Sequence, residues 1–494
     1  MSRKRTVVVG SGAGGIALSL LLARAGRSVT LLEIQPEIGG YLRRFTRCGV
    51  RFDTGYHFSG GCTNVMDQIM QVLGLDEARA ADPIGNRIVL QKTGDDILIP
   101  PRSTFRGTEE VMCSHFKNDS AALHEIFDAV NSVWRDTPMR DLSDLTPPQM
   151  DISSYDIRTV RDFCASAGLG EAAAAAAGSF AMCHGSLPCE ASMSFHARVG
   201  FAIFDDLARP VGGGDPIIAA FRRQAGRLGI DIRTGTTLLP FTETDSDGEC
   251  HTARLSDGSC LDVDQVFFTI HPRTVGSLLP EKAVTPPLER RLRRLRESTS
   301  FFCAYYFLDD DAPVTPGLIS YFSDNDLDAI LRGGGPYSTG YLLGREPDAG
   351  GKMRSTVAAF RTMAPGTPAG AGNDRAARRT DSAYREFKER LSQEIADDLV
   401  RIAPELAGHL KVAESGTPLT CRDYDPPTGS AYGVRNVCGQ SRLCGRLPVR
   451  NFFIAGHGAL VPGVMGTMLT SFTVFRQAAG EELYRKVIRA SGLC

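Results

Sequence analysis

The sequence predicts an α/β protein that opens with a Rossmann-like dinucleotide-binding unit. A short β-branched run at 6–9 is typical of a buried parallel strand, and it passes directly into the glycine-rich turn 10–15. A helical pattern follows the turn, and a second apolar run, 29–32, ends at Glu33. Strand, glycine turn, helix, strand and acidic residue in this order predict dinucleotide binding.

Each residue type in this unit suits a bound dinucleotide. Gly10 permits the tight turn, Gly12 lets the backbone approach a pyrophosphate, and Gly15 lets helix and strand pack closely. The helix start offers N–H groups and the positive end of its dipole. Glu33 suits the ribose hydroxyls and disfavours the 2′-phosphate of NADP. The predicted cofactor contacts here are Gly10, Ser11, Gly12, Gly14, Gly15 and Glu33.

Composition restricts the class of protein. The chain has 494 residues, 42% of them hydrophobic, and a net charge of −2, which is ordinary for a globular protein of two or three domains. This charge gives no case for nucleic-acid binding. The 13 cysteines follow no zinc-ligand spacing, so we predict no metal site and read them as reduced thiols. We expect a cytoplasmic protein, soluble or resting on a membrane surface, because no run reaches roughly 20 apolar residues.

A second glycine turn distinguishes FAD from NAD. Gly39-Gly40-Tyr41 follows the acidic strand end, and the stretch 49–58 follows it with Gly49, Asp53, Gly55 and His57. This region resembles the FAD-containing amine oxidase and phytoene desaturase superfamily, whose pattern is GG-R and then G-x-x-x-D-x-G-x-H. Tyr41 stands where that superfamily has an arginine, so Arg43 or Arg44 is the candidate cation for the pyrophosphate. The resemblance implies FAD contacts at Gly39, Gly40, Tyr41, Arg43 and His57.

The C-terminal end carries the matching half of the resemblance. A strand at 451–455 leads to Gly456-His457, and Gly463-Val464-Met465 opens a helix. The superfamily closes its FAD site with such a strand, loop and helix, and the helix start faces the flavin N1/O2 edge. His457 replaces the usual acidic residue. The implied contacts are Gly456, His457, Gly463, Val464 and Met465, with a backbone contact to the adenine near Leu238.

Four further segments resemble the retinol saturase, carotenoid isomerase and phytoene desaturase branch, namely 55–60, 188–197, 209–214 and 418–433. That resemblance implies an oxidoreductase acting on C=C or C–C bonds of a long apolar polyene or isoprenoid. Saturation, desaturation and isomerisation stay open. No second GxGxxG motif is visible, so we expect an external electron donor or acceptor. Proton-transfer candidates are His57, Tyr424 and Tyr432, with His457 as a fourth.

The resemblance also implies an interleaved domain organisation. The FAD-binding domain is predicted from 1–75, 206–275 and 431–494, and the substrate domain from 76–205 and 276–430. An aromatic-apolar strip, 195–204, is a candidate tunnel wall or a buried core. The arginine-rich stretch 290–296 is either a solvated helix face or a contact with anionic headgroups.

Two alternatives to the polyene oxidoreductase stay open. The first is an amine or protoporphyrinogen oxidase on the same fold, although no carboxylate or aromatic cage suited to an amine is identifiable. The second is a protein that binds flavin or lipid without catalysis.

Overall fold

The structure is a computed structural model, and it describes residues 3–60, 65–146, 152–310, 312–368, 372, 374–425, 427–440 and 442–493. The strands are β1 Arg5–Val9, β2 Ser28–Glu33, β3 Arg44–Arg47, β4 Val50–Asp53, β5 Ala81–Pro83, β6 Asn86–Leu90, β7 Asp95–Ile99, β8 Ala208–Pro210, β9 Asp231–Thr234, β10 Thr252–Arg254, β11 Cys260–Asp262, β12 Gln265–Phe268, β13 Ser300–Leu308, β14 Gly317–Phe322, β15 Ser338–Pro347, β16 Met353–Met363, β17 Leu410–Gly416, β18 Gly445–Arg446 and β19 Phe452–Ile454. The helices are α1 Ala13–Arg24, α2 Val65–Leu73, α3 Phe105–His115, α4 Ser120–Arg135, α5 Ser154–Ile157, α6 Val160–Ser166, α7 Glu171–Ala177, α8 Met193–Phe204, α9 Asp215–Leu228, α10 Pro272–Leu278, α11 Pro286–Arg294, α12 Leu327–Arg332, α13 Arg375–Thr380, α14 Ser382–Ile402, α15 Pro418–Tyr424, α16 Gly463–Ala479 and α17 Glu481–Ala490.

A six-stranded sheet forms the dinucleotide-binding part, with the order β18-β19-β12-β1-β2-β9. Its strands run parallel from β19 to β9, and β18 is antiparallel at the edge. Val8 faces a core that includes α1 and α16, whereas Val7 and Val9 face a second core on the opposite side. Both faces of β1 are therefore covered, which explains why the strand is an uninterrupted apolar run.

A seven-stranded sheet, in the order β17-β13-β16-β15-β14-β6-β7, forms the second layer. Its pairings are antiparallel except for β14 with β6. Helix α14 covers one face, and the hydroxyl of Tyr341 donates to the Ile395 carbonyl oxygen over 3.0 Å. Helices α3, α4, α7 and α8 share a core with β6 and β7.

The two sheets are built from interleaved parts of the chain. The first takes its strands from 5–33, 231–268 and 445–454, and the second takes its strands from 86–99 and 300–416. The chain therefore passes between the sheets several times. The domain boundaries drawn from the sequence stay a prediction.

A buried ion-pair network ties the β3–β4 hairpin to the second sheet. Arg44 lies 2.7 Å from Asp53 on β4 and 2.7 Å from Glu346 on β15, and its side chain is 4% exposed. Arg209 bridges the same two carboxylates. Removing one partner would leave a buried charge without compensation, so separating the hairpin from the second sheet is costly. The network therefore fixes the β3–β4 hairpin against β15.

None of the described helices combines the length and the hydropathy that crossing a bilayer requires.

Candidate active site

A cavity of about 1130 Å³ reaches from the glycine turns of the first sheet to β13 and β16 of the second. Helices α8 and α16 complete its walls. Typical small-molecule sites measure roughly 300–1000 Å³. The space is therefore large enough for an extended cofactor together with a second molecule.

The nucleotide end of the cavity is formed by the turn between β1 and α1. Gly10, Ser11 and Gly12 line the cavity, whereas Gly14 and Gly15 lie behind its wall. A Cβ atom on Gly15 would lie 1.8 Å from the Gly10 carbonyl oxygen, so α1 approaches the strand too closely for any side chain there. A Cβ atom on Gly12 would meet no atom of the described residues within 4 Å. The backbone of Gly12 therefore borders open space, as close approach of a pyrophosphate requires.

Two helix starts border the same space. Helix α1 begins after Gly12 and α16 begins after Pro462, and neither start has a side-chain cap among the described residues. Both starts line the cavity. Uncapped first-turn N–H groups and the positive dipole end favour anionic groups, which fits a pyrophosphate at α1 and the O2 edge of a flavin at α16.

Glu33 lies at the carboxyl end of β2, where it is 7% exposed and lines the cavity. Its carboxylate accepts from the Ser11 N–H over 3.0 Å and from the Gln35 N–H over 2.9 Å. The Ser11 hydroxyl also donates to it. These bonds hold the carboxylate at the position where the ribose of a dinucleotide is expected.

Arg43 is the cation that borders the cavity near the second glycine turn. Its guanidinium lies 4.7 Å from the ring centroid of Tyr424, which in turn stacks on Tyr41 at 6.1 Å. Arg44, the other candidate from the sequence, is held in the buried network with Asp53 and does not line the cavity. Of the two, Arg43 is placed where it could meet a pyrophosphate.

The second glycine pair lies against the first turn. Gly40 lines the cavity, and a Cβ atom on it would lie 3.1 Å from the Gly12 Cα. Gly39 lies behind the wall and donates its N–H to the Ser11 carbonyl oxygen over 3.1 Å. The two turns therefore support one another through backbone contacts.

His57 lines the cavity and stacks on Phe360 with ring centroids 4.9 Å apart. Its Nδ1 is buried and has no hydrogen-bond partner among the described residues. Desolvation, together with the nearby Arg209 and Arg44 guanidiniums, lowers the pKa of His57 to about 3. The imidazole is therefore neutral near pH 7.

His457 differs from His57 because a carboxylate faces it. Its Nε2 lies 3.1 Å from Asp425 Oδ2, and both residues line the cavity. Burial opposes the charged ring, but the Asp425 carboxylate outweighs it and raises the pKa of His457 above its usual value. Gly433 packs on this ring, where a Cβ atom would lie 2.8 Å from it. The pair therefore places an imidazole with a raised pKa and a carboxylate counter-ion at the cavity wall.

The remaining predicted residues fall into two groups. Tyr424, Tyr432, Gly463, Val464 and Met465 line the cavity together with Tyr41. Burial raises the pKa of Tyr432 well above its usual value, so this phenol stays protonated. Gly456 lies behind the wall against Thr269, and the Leu238 side chain lies in the core beside β1. Thr236 and Thr237, which precede Leu238 in the chain, border the cavity.

The far half of the cavity has apolar walls. Phe195, Ala202 and Ile203 of the strip that the sequence singled out line it. Phe201 and Phe204 do not, because Phe201 stacks on Trp134 and Phe204 packs in the helical core. Other apolar lining residues are Phe58, Trp134, Met139, Val199, Phe301, Phe360 and Leu469.

Six charged residues at the cavity were not identified from the sequence: Asp156, Arg198, Asp425, Arg442, Arg476 and Glu481. Each approaches the cavity through contacts between distant segments. Asp425 lies within the segment 418–433 that resembles retinol saturases, but nothing local indicates that it meets His457.

Comparison with known proteins places this geometry in a family. The model of the flavin containing amine oxidoreductase family matches residues 13–471. All-trans-retinol 13,14-reductase of Danio rerio is 21% identical over 94% of this chain and 84% of its own length. A 4,4′-diapolycopene oxygenase of a Methylomonas species is 42% identical over 10% of each chain.

A crystal structure of an oxidoreductase from Methanosarcina mazei has a TM-score of 0.62 with this chain, at 14% identity. The match covers 96% of this chain and all of the other. The predicted α/β fold, with its Rossmann-like FAD-binding sheet, is thereby confirmed. The glycine turns, the two uncapped helix starts and the family match agree on the cofactor, which is FAD. The chain belongs to the flavin-containing amine oxidoreductase family and is an FAD-dependent oxidoreductase.

Proposed function

We propose that this enzyme acts on carbon–carbon double bonds of a long apolar polyene or isoprenoid of the retinoid or carotenoid kind. One observation carries the proposal: a single cavity joins the dinucleotide-binding turns to an apolar region between α8, β13 and β16. The relatives named for all-trans-retinol and 4,4′-diapolycopene support the same substrate class.

The cofactor contacts follow from the positions of the lining residues. We assign the pyrophosphate to Gly12, the start of α1 and Arg43, and the ribose to Glu33. The flavin O2 edge belongs at the start of α16, beside Gly463, Val464 and Met465. We assign the contacts of the second glycine turn with FAD to Gly39, Gly40 and Tyr41. Leu238 is assigned a backbone contact with the adenine.

Proton transfer is assigned to His457 in preference to His57, Tyr424 and Tyr432. When bound, FAD supplies hydride transfer to or from carbon, and an external electron partner restores its redox state. Saturation adds one hydride and one proton across a double bond. Because Asp425 stabilises the protonated His457 ring, the residue is in the state that a proton donor needs. His57 and Tyr432 would then orient the substrate. We therefore propose saturation as the direction.

Product analysis by mass tests the reaction. We expect the holoenzyme, with a chemical reductant, to convert a retinoid or carotenoid to a product two mass units heavier. A product two units lighter, or of unchanged mass, would contradict the direction while keeping the substrate class. Reduction of the flavin by amines, with no conversion of any polyene, would overturn the substrate class in favour of an amine oxidase.

We further propose that the protein meets its substrate at a membrane surface through α11, as a reduced cytoplasmic protein with peripheral contact. Arg290, Arg293 and Arg294 are exposed on this helix. Arg291 donates to the carbonyl oxygen of Arg442, which lines the cavity. The basic surface therefore adjoins a wall of the substrate space, and the described cysteines are free thiols.

Vesicle sedimentation tests this contact. We expect more protein on phosphatidylglycerol vesicles than on phosphatidylcholine vesicles, and loss of that difference when Arg290, Arg293 and Arg294 become glutamine. As a control, replacing exposed Arg5, the first residue of β1, with glutamine should leave binding unchanged. Equal binding of the triple variant and the unaltered protein would contradict the proposal.

A further inference from the structure

Two arginines line the apolar half of the cavity without an ion-pair partner among the described carboxylates. Arg198 lies on α8, and Arg442 lies on the segment before β18. Neither forms an ion pair with any carboxylate in the described part of the chain, although most other buried arginines here do. A buried cation without a counter-ion costs free energy, so its presence in a ligand cavity needs an explanation.

Arg442 is held in place by its neighbours. Its guanidinium lies 4.7 Å from the Phe195 ring centroid, and it donates to the carbonyl oxygens of Leu460 and Val434 over 2.7 and 2.8 Å. Its Nε is buried and has no hydrogen-bond partner among the described residues. Desolvation lowers the pKa of Arg442 to about 10, which leaves the group charged near pH 7. The guanidinium is thus charged and fixed in position at the cavity wall, and no described residue accepts from its Nε–H.

Arg198 lies one helical turn after Phe195, on the same side of α8. Its Nε donates to the Thr137 hydroxyl over 3.3 Å, and desolvation lowers its pKa despite the opposing effect of Asp156. Phe195 therefore has the Arg442 guanidinium against its ring and Arg198 one turn further along the same helix. The same helix continues into the apolar wall at Val199, Ala202 and Ile203.

The local charge indicates a monoanion. Asp156 also lines this part of the cavity, and its carboxylate accepts from Ser194 and Ser153. Although burial opposes ionisation, these bonds hold the pKa of Asp156 below its usual value. Two arginines and one aspartate leave a net charge of +1, which a carboxylate neutralises and a diphosphate exceeds. The fork of Arg442 is also a geometric match for a carboxylate.

From these contacts we propose that the substrate is a long apolar chain ending in a carboxylate, and that Arg442 and Arg198 bind this acid end while Phe195 and α8 contact the chain. The inference rests on the proposed function, because it specifies the substrate of the same cavity. It assigns a specificity role to the two arginines, and it separates them from Arg43, which borders the nucleotide end.

Binding titrations on the holoenzyme test the inference, followed by the flavin absorbance and by the ligand's own absorbance. The probes are an all-trans C20 polyene carboxylic acid, the matched primary alcohol and the methyl ester. We expect the acid to bind about tenfold more tightly than the alcohol or ester, as a charge-assisted hydrogen bond implies. Arg442→Gln and Arg198→Gln should each abolish most of this preference and leave alcohol binding within about twofold.

Controls separate the outcomes. Arg442→Lys should keep part of the preference because it keeps the charge, and Arg5→Lys, at an exposed position outside the cavity, should change nothing. If Arg442→Gln does not fold, Arg198→Gln decides, since it loses a single described hydrogen bond. Equal affinity for acid and alcohol in the unaltered enzyme would overturn the inference and leave the proposed function standing. Loss of FAD from both glutamine variants would overturn it by assigning the arginines to the cofactor. Failure of every polyene to bind would refute both proposals.

Discussion

Gly12→Ala should fold normally and bind FAD at least about tenfold more weakly than the unaltered protein. Gly12 has φ −65°, which alanine adopts without strain, and its added Cβ would have no neighbour within 4 Å in the part of the chain that the structure describes. That methyl group would instead occupy space beside the start of α1, where the pyrophosphate is expected to contact the backbone. The measurements are the FAD-to-protein absorbance ratio and a reconstitution titration of the apoprotein.

Two other glycines sharpen this test. Gly226 lies in α9, and none of the described atoms lies within 4 Å of an added Cβ there. Gly226→Ala should therefore retain FAD and gain roughly 0.5–1 kcal/mol in the free energy of unfolding. Gly15→Ala should fail to fold, because its Cβ would lie 1.8 Å from the Gly10 carbonyl oxygen. Unchanged FAD affinity in Gly12→Ala would show that the cofactor does not lie against this turn.

The second large effect is expected from Asp425→Asn, which should lower polyene saturation by about 10²-fold near pH 8. In the unaltered enzyme Asp425 raises the pKa of His457, so the protonated donor persists to higher pH. Saturation activity is therefore expected below that pKa and is expected to fall as the pH rises through it. Without the carboxylate, burial dominates and lowers the pKa of His457, so the alkaline loss of activity moves to lower pH.

A pH profile of kcat between pH 5 and 9 measures this shift, and the variant should regain part of its activity at the acidic end. His57→Asn is the matched control. Because the pKa of His57 is about 3, this ring does not titrate in that range. Its replacement should change the rate without moving the alkaline limb. An alkaline limb that stays in place in Asp425→Asn would exclude His457 as the proton donor.

Much of the cofactor site was predictable because its geometry is local. The strand, turn, helix and acidic strand end at 5–33 lie within one βαβ unit, so spacing alone orders Gly10, Gly12 and Glu33 around one space. Gly463, Val464 and Met465 were equally predictable from the sequence, since a glycine at a helix start has a recognisable pattern. These residues line the cavity where expected.

Other expectations depended on packing that no local pattern reports. Phe201 and Phe204 belong to the same apolar stretch as Phe195, but they lie on other faces of α8. Phe201 therefore stacks on Trp134, and Phe204 packs in the helical core. The Leu238 side chain is drawn into the core beside β1. Alternation and spacing identify apolar residues, but the neighbouring helices decide which of them border a cavity.

The amino-acid sequence by itself determined that this chain forms a dinucleotide-binding unit for FAD, because turn geometry and helix starts follow from a few neighbouring residues. The tertiary structure alone decided which charged side chains line the cavity and which of them are paired. It placed Arg44 in a buried network and Arg43 at the wall, set Asp425 against His457, and left Arg442 beside Phe195. The reason is physical: desolvation and charge pairing depend on segments that are distant in the chain and become neighbours on folding.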